Sequence, residues 1–258
     1  SGNNAAGPGQ SDDAMRLRIL GLLIVLPTLS VVAAENSWPM EPMDPDLENL
    51  PSLQNGWRLY VNYCIGCHSL QYQRYERTAD DLEVPHGLVL ENLIFTGQKV
   101  GEMMTTSMDP KLAKNWFGAA PPDLTLVARV RGVNWLYNYL LTFYVDASRP
   151  FGVNNKVFPN VGMPNVLQGL QGVQVLGCGQ SPEPATEENC SELVVVEGTG
   201  NYTAEEFDQA VYDIVNFLYY TGEPSRLERY RLGVFVLLFL VILYVFTRLL
   251  GREYQKDV

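Results

Sequence analysis

The chain has 258 residues, 47% of them hydrophobic, and a formal net charge of -11. That much apolar material supports a folded core and excludes a disordered chain, while the acidic balance makes nucleic acid a poor partner and a basic protein a better one. The charge gathers at Glu41/Asp44/Asp46/Glu48, Glu76/Asp80/Asp81/Glu83 and Glu183/Glu187/Glu188/Glu192, which read as solvated faces and become docking surfaces only beside a redox centre.

Taken in chain order, residues 1–14 (SGNNAAGPGQSDDA) are low-complexity and expected to be flexible. Met15-Arg16-Leu17-Arg18, an apolar run and Val32-Ala33-Ala34 then read as a secretory signal over residues 15–34, with cleavage expected after Ala34. Losing residues 1–34 removes Asp12 and Asp13 along with Arg16 and Arg18, so the exported part keeps the charge of -11. Residues 35–52 are rich in Pro and acidic side chains and predict an extended lead-in.

From Leu53 the period turns helical: Leu53, Trp57, Tyr60, Val61 and Cys64 recur at three and four, which places Cys64 at a helix C-terminus. Short helices are predicted over 88–95 with a Gly97 stop, 123–131 with a Gly132 stop, and 134–144, with Asp or Asn caps. Residues 145–169, rich in Pro, Gly and Asn, predict a long ordered loop of the kind that carries function. Residues 172–200 predict an insertion containing a small hairpin. Thr203-Ala204-Glu205-Glu206 is a capping box before an apolar face of Phe207, Ala210, Val211, Ile214, Val215 and Leu218. The run 232–250 (LGVFVLLFLVILYVFTRLL) would span about 28 Å as a helix, long enough for a bilayer, with a short tail from 251 to 258 beyond it. Arg226, Arg229 and Arg231 before it balance Arg248, Arg252 and Lys256 after it, so basic residues do not orient it. No period-2 run suits a large sheet; the domain over 35–225 is expected to be mainly α.

The chemistry centres on Tyr63-Cys64-Ile65-Gly66-Cys67-His68. A redox disulfide needs such a Cys pair at a helix N-terminus beside a βαβ sheet, whereas here the helix precedes it. Zinc needs a second ligand pair, and Cys178 and Cys190 are too far apart for one, while His86 is a lone imidazole expected in surface or core packing. Haem c fits best, with Cys64 and Cys67 spaced for two vinyl groups and His68 placed to ligate iron. For a sixth ligand, Met163 in Phe158-Pro159-Asn160-Val161-Gly162-Met163-Pro164-Asn165 is the favoured thioether, and His/Met ligation means electron transfer rather than oxygen chemistry.

YCIGCHSLQYQRYER, WFGAAPPDLTLVARVRG, NNKVFPNVGMPNVL and an anchor ending GREYQKDV occur in that order, and together they resemble the cytochrome c1 family of bacterial cytochrome bc1 complexes. The resemblance implies a mainly α, class I-like c-type cytochrome domain with long ordered loops and one C-terminal transmembrane helix. It implies covalent haem at Cys64 and Cys67, axial ligands His68 and Met163, and a pocket wall at Pro121-Pro122-Asp123-Leu124. By matched position Arg131 would pair with a haem propionate and Tyr137 would contact the same edge, with Arg129 the rival to Arg131. The implied function is to take one electron from a Rieske iron-sulfur protein and pass it to a c-type cytochrome. Cytochrome b, membrane lipid and a dimeric complex would be partners, the haem domain periplasmic and the tail cytoplasmic. Apart from the resemblance, the oxidising compartment and even cysteine count predict a Cys178–Cys190 disulfide stapling the insertion. The alternatives are another anchored monohaem cytochrome serving an oxidase or peroxidase, a tethered thiol-disulfide oxidoreductase, or a purely structural subunit.

Overall fold

A computed structural model describes residues 38–177 and 192–256. The expected signal segment and both Cys178 and Cys190 lie outside the described residues.

Helix α1 (Leu50–Tyr63) begins where Asn49 accepts the Ser52 amide through its side chain, with a proline in the first turn, whose missing N–H costs nothing there. Its predicted face is the one it buries: Leu53, Trp57, Tyr60 and Val61 are at most 3% exposed. Burial of each such side chain contributes about 1.5–3 kcal/mol. The partner is α8 (Ala204–Gly222), which starts at the predicted capping box, the Thr203 hydroxyl accepting from Glu206 N while the Glu206 carboxylate accepts from Thr203 N. Where the two helices cross, a Cβ on Gly56 would lie 2.0 Å from the Asp213 carbonyl oxygen, so no side chain fits. The Asp213 carboxylate, 4% exposed, is held at the crossing by Ser52 Oγ (2.6 Å), Asn55 Nδ2 (2.6 Å) and Gln209 Nε2 (2.8 Å). Those donors offset the desolvation of the buried carboxylate. Trp57 and Tyr60 both pack on Phe217.

Between these helices the chain runs through β1 (Leu70–Arg74), α2 (Tyr75–Asp81), α3 (His86–Asn92), β2 (Met103–Met104), α4 (Pro110–Phe117), α5 (Val127–Arg131), α6 (Val133–Leu141), β3 (Phe143–Val145), β4 (Val153–Asn155), α7 (Gln168–Gln171), β5 (Gln174–Gly177) and β6 (Glu192–Val195). The strands form three antiparallel pairs, β1–β2, β3–β4 and β5–β6, and no larger sheet among the described residues. The main core joins α1, α5, α6 and α8; a smaller one gathers Phe143, Val153 and Val161 with Tyr139 and Met163 packed against it.

Several predicted boundaries move. The helix expected over 88–95 starts earlier, at His86 behind Pro85, and stops at Asn92, before the left-handed turn at Gly97. The helix expected from Asp123 begins only at Val127, because Asp123 accepts from the Gln71 and Thr125 amides and Leu124 N donates to Ser69 O, tying the segment to β1. Asn134 lies inside α6, not at its cap; its side chain accepts from Met43 N and fixes the lead-in segment. That helix ends at Leu141, since Phe143–Val145 leaves it to pair with Val153–Asn155, a strand inside what reads as a loop. Helices α2, α4 and α7 had no predicted counterpart. The hairpin expected in the insertion is β5–β6.

The last helix, α9 (Arg226–Tyr254), is longer than its apolar run, reaching about 44 Å at 1.5 Å per residue. It buries none of its residues in the protein, and it is the one helix among the described residues long and apolar enough to cross a membrane. At its base Glu223 takes ion pairs from Arg229 of α9 and Arg129 of α5. Arg226 lies over the rings of Tyr219 and Tyr230, an arrangement suited to the headgroup layer.

Candidate functional site

The Cys pair sits on the turn that ends α1. The Cys64 amide donates to Tyr60 O, and the amides of Cys67 and His68 both return to Cys64 O, at 3.0 and 2.9 Å. The Tyr60 hydroxyl closes the turn by donating to His68 O (2.7 Å). Cys64, Cys67 and His68 therefore line one cavity of about 340 Å³, within the range of small-molecule and cofactor sites. Met163, some 95 residues further along, lines the same cavity, and among the described methionines it alone does so. Pro121, Pro122 and Leu124, then Ile214 and Leu218 of α8, add apolar wall.

His68 Nδ1 lies 2.7 Å from the Pro122 carbonyl oxygen. A carbonyl only accepts, so Nδ1 carries the proton and Nε2 keeps the lone pair a metal needs. Burial lowers the imidazole's pKa, against smaller upward pulls from that carbonyl and from Asp123, and favours the neutral ligating form. Pro122 thus acts through its backbone, and Asp123 by anchoring the segment to β1.

Cys64 and Cys67 are both free thiols. Burial pushes Cys64 up to about 12, helped by the neighbouring Cys67, and raises Cys67 as well. An attacking redox thiol needs the opposite shift. Among the described residues no group of three or more His, Cys, Asp or Glu side chains is placed to hold a metal ion, so the zinc reading gains no second ligand pair. Two thiols, a neutral imidazole with a free nitrogen and a soft thioether around an apolar cavity match the donor set of haem c.

Arg131 lines the cavity, its guanidinium 5.0 Å from the Trp135 ring centroid. Its rival Arg129 turns instead to Glu223 and the Gly222 carbonyl at the base of α9. Tyr137 is not at the cavity: its hydroxyl donates to Asp208, strapping α6 to α8. Two residues along a helix is about 200° of rotation, and the face that reaches the cavity carries Trp135 and Tyr139. Tyr139, which the sequence reading missed, donates its hydroxyl to Met163 Sδ at 3.4 Å. Burial raises its pKa, so it remains a donor at neutral pH. The signal was present as Arg131, Trp135 and Tyr139 at intervals of four.

Of the acidic clusters, Asp80 pairs with the half-buried His86, and Asp81 with Arg77 and the Tyr220 hydroxyl, so the second is partly satisfied within the fold. Glu41, Asp44, Asp46 and Glu48 are exposed.

The Cytochrome C1 family matches residues 97–258, beginning after the Cys pair. A cytochrome c1 of Allochromatium vinosum is 46% identical over 95% of this chain and 100% of its own length. A protein of Nitrosomonas europaea named ammonia monooxygenase gamma subunit is 40% identical over 94% of this chain and 100% of its own. The mitochondrial cytochrome c1 heme protein of Schizosaccharomyces pombe is 28% identical over 81% and 67%. Among solved structures, a chain of a hyperthermophilic respiratory Complex III aligns over 95% of both chains at a TM-score of 0.42 and 13% identity.

Proposed function

The chain belongs to the cytochrome c1 family, and from that premise we propose that it is the electron-transfer subunit of a cytochrome bc1 complex, holding one covalent haem c in the cavity between α1, α6 and α8. The haem supplies a one-electron redox centre; the rest is the work of this chain's residues. Cys64 and Cys67 hold it as thioethers, which prevents loss from an exported protein. His68, its Nδ1 proton committed to Pro122, would hold the iron through Nε2, and Met163 would hold it through its sulfur. Held by two protein ligands, the group would serve electron transfer rather than oxygen chemistry. Pro121, Leu124, Ile214 and Leu218 exclude water, which together with the thioether favours a high potential. Arg131, steadied by Trp135, is the cation for a propionate.

Helix α9 is the single-pass anchor. We place the haem domain in the periplasm and the tail from 251 to 258 in the cytoplasm. The electron donor is a Rieske iron-sulfur protein and the acceptor a c-type cytochrome, with cytochrome b packed beside the anchor in a dimeric complex. The exposed acidic residues 41–48 suit a basic acceptor, an attraction that salt weakens.

The observation that carries the reading is the convergence of Cys64, Cys67, His68 and Met163 on one apolar cavity, with the His68 tautomer set by Pro122. Its test is a denaturing gel stained for haem with a reduced-minus-oxidised spectrum, on wild type and Met163→Leu. A haem-staining band with a sharp reduced α-band, and a mutant that loses the high potential, is the expected result. No pigment and two titratable thiols would sink the reading.

A further inference from the structure

The part of the cavity wall that carries Met163 is built from short strands and turns, and asparagine side chains take up its backbone groups. Asn155, fully buried, accepts from Val157 N and Phe158 N at 2.9 and 3.0 Å, and Asn154 accepts from Asn160 N at 2.8 Å. Arg149 grips Asn160 through its side-chain oxygen (2.9 Å) and its carbonyl (3.0 Å). The other end of Asn155 donates to the Tyr139 carbonyl (2.8 Å), so one side chain fixes both the segment leading to Met163 and the turn of α6 bearing Tyr139. The Tyr139 ring is stacked on Trp135 at 4.9 Å and meets Phe143 edge-on at 5.1 Å. From that clamp its hydroxyl reaches the Met163 sulfur.

A thioether sulfur has two lone pairs. A donor on one fixes the direction of the other and draws electron density from the atom, which weakens its stabilisation of the oxidised metal. We propose that Tyr139 is a positioning residue for the sixth haem ligand: its hydroxyl occupies one lone pair of Met163, aims the other at the iron and raises the haem potential. This rests on Met163 being that ligand.

The test uses full-length holoprotein in detergent, comparing wild type with Tyr139→Phe, Phe143→Leu as a packing control, and Met163→Leu. Tyr139→Phe is expected to keep the reduced α-band, to show a lower midpoint potential, and to bind added imidazole in the ferric state about two- to tenfold less tightly, the range a lost hydrogen bond supplies, because the sulfur then gives its full density to the oxidised metal. Phe143→Leu, which keeps the Tyr139 hydroxyl and loosens only its edge contact, should move both less than Tyr139→Phe does. If Tyr139→Phe matches wild type in both readouts while Met163→Leu loses its potential, the role of Tyr139 is overturned and the ligand assignment stands. Equal shifts in Phe143→Leu would reduce the effect to packing and also overturn it. If Met163→Leu leaves spectrum and potential unchanged, the ligand assignment itself fails. Should Tyr139→Phe not load haem, wild-type reduced holoprotein decides: a nuclear Overhauser contact between the Tyr139 ring and the Met163 methyl is expected, and its absence overturns the proposal.

Discussion

The cavity has two kinds of wall, and they are made by different physics. The wall bearing Cys64 and His68 ends a long amphipathic helix that buries one face against α8 through Trp57, Tyr60 and Phe217. The wall bearing Met163 has a small apolar cluster of Phe143, Val153 and Val161, and owes its shape to Asn154, Asn155 and Arg149. Dispersed apolar contact tolerates the loss of any one atom pair, whereas a buried asparagine serving several backbone groups at once is a single point of failure. The first wall should therefore resist the loss of single apolar contacts and fail where its helices are forced apart or its Asp213 cluster is cut, and the second should yield to one polar substitution.

The strongest way to break that contrast is at Gly56. Gly56→Val puts side-chain carbon into the space of the Asp213 carbonyl and of Phe217 Cβ, 2.0 and 2.7 Å from even a Cβ. Forcing the crossing apart should cost more than about 3 kcal/mol, the upper end of overpacking penalties. Thermal unfolding would show it; a melting temperature within a degree or two of wild type would mean the crossing accommodates a side chain at position 56.

A smaller, local loss is expected from Asn155→Ala, which removes the side-chain acceptor of the Val157 and Phe158 amides and the donor to the Tyr139 carbonyl. About 2 kcal/mol is the expected cost. It should appear as weakened Met163 ligation, read by exogenous-ligand binding to the holoprotein, while helical circular dichroism is retained. Equal loss of helix signal and ligation would erase the distinction between the walls.

The smallest effect sharpens the contrast by pH. Hydrogen bonds from the Ser148 hydroxyl and amide and from Asn154 hold the Asp146 carboxyl below its ordinary value. A depressed folded value means the carboxylate's contribution is present above the ordinary aspartate range and is lost as pH falls through the folded value. Acidification below about pH 4 should then loosen the β3–β4 side slightly, and Asp146→Asn should remove that part of the acid sensitivity. Identical acid profiles for the two proteins would show that Asp146 contributes nothing.

Legibility in the sequence followed the same division. The faces of α1 and α8, the capping box, the apolar run of α9 and the position of the Cys pair at a helix end could all be read, because each depends on residues within a few turns of one another. Asp123 was misread as a helix cap because its partner, the Gln71 amide, is 52 positions away and nothing local announces it. Tyr137 and Tyr139 lie two residues apart on one helix, and composition does not say which face meets the cavity. Once α6 packs on α8, Tyr137 faces Asp208 and Tyr139 faces Met163.

The sequence by itself determined the donor set: two thiols and an imidazole at fixed short spacing, a thioether near prolines, and an apolar anchor, since these follow from side-chain chemistry and local period. Only the tertiary structure decided which methionine shares a cavity with His68, that the Pro122 carbonyl selects the imidazole tautomer, that Arg131 and not Arg129 lines the cavity, and that a tyrosine meets the sulfur. Those are contacts between segments distant along the chain. They form only when burial of the α1–α8 interface brings the segments together, and their directions are set by backbone groups whose partners no sequence window contains.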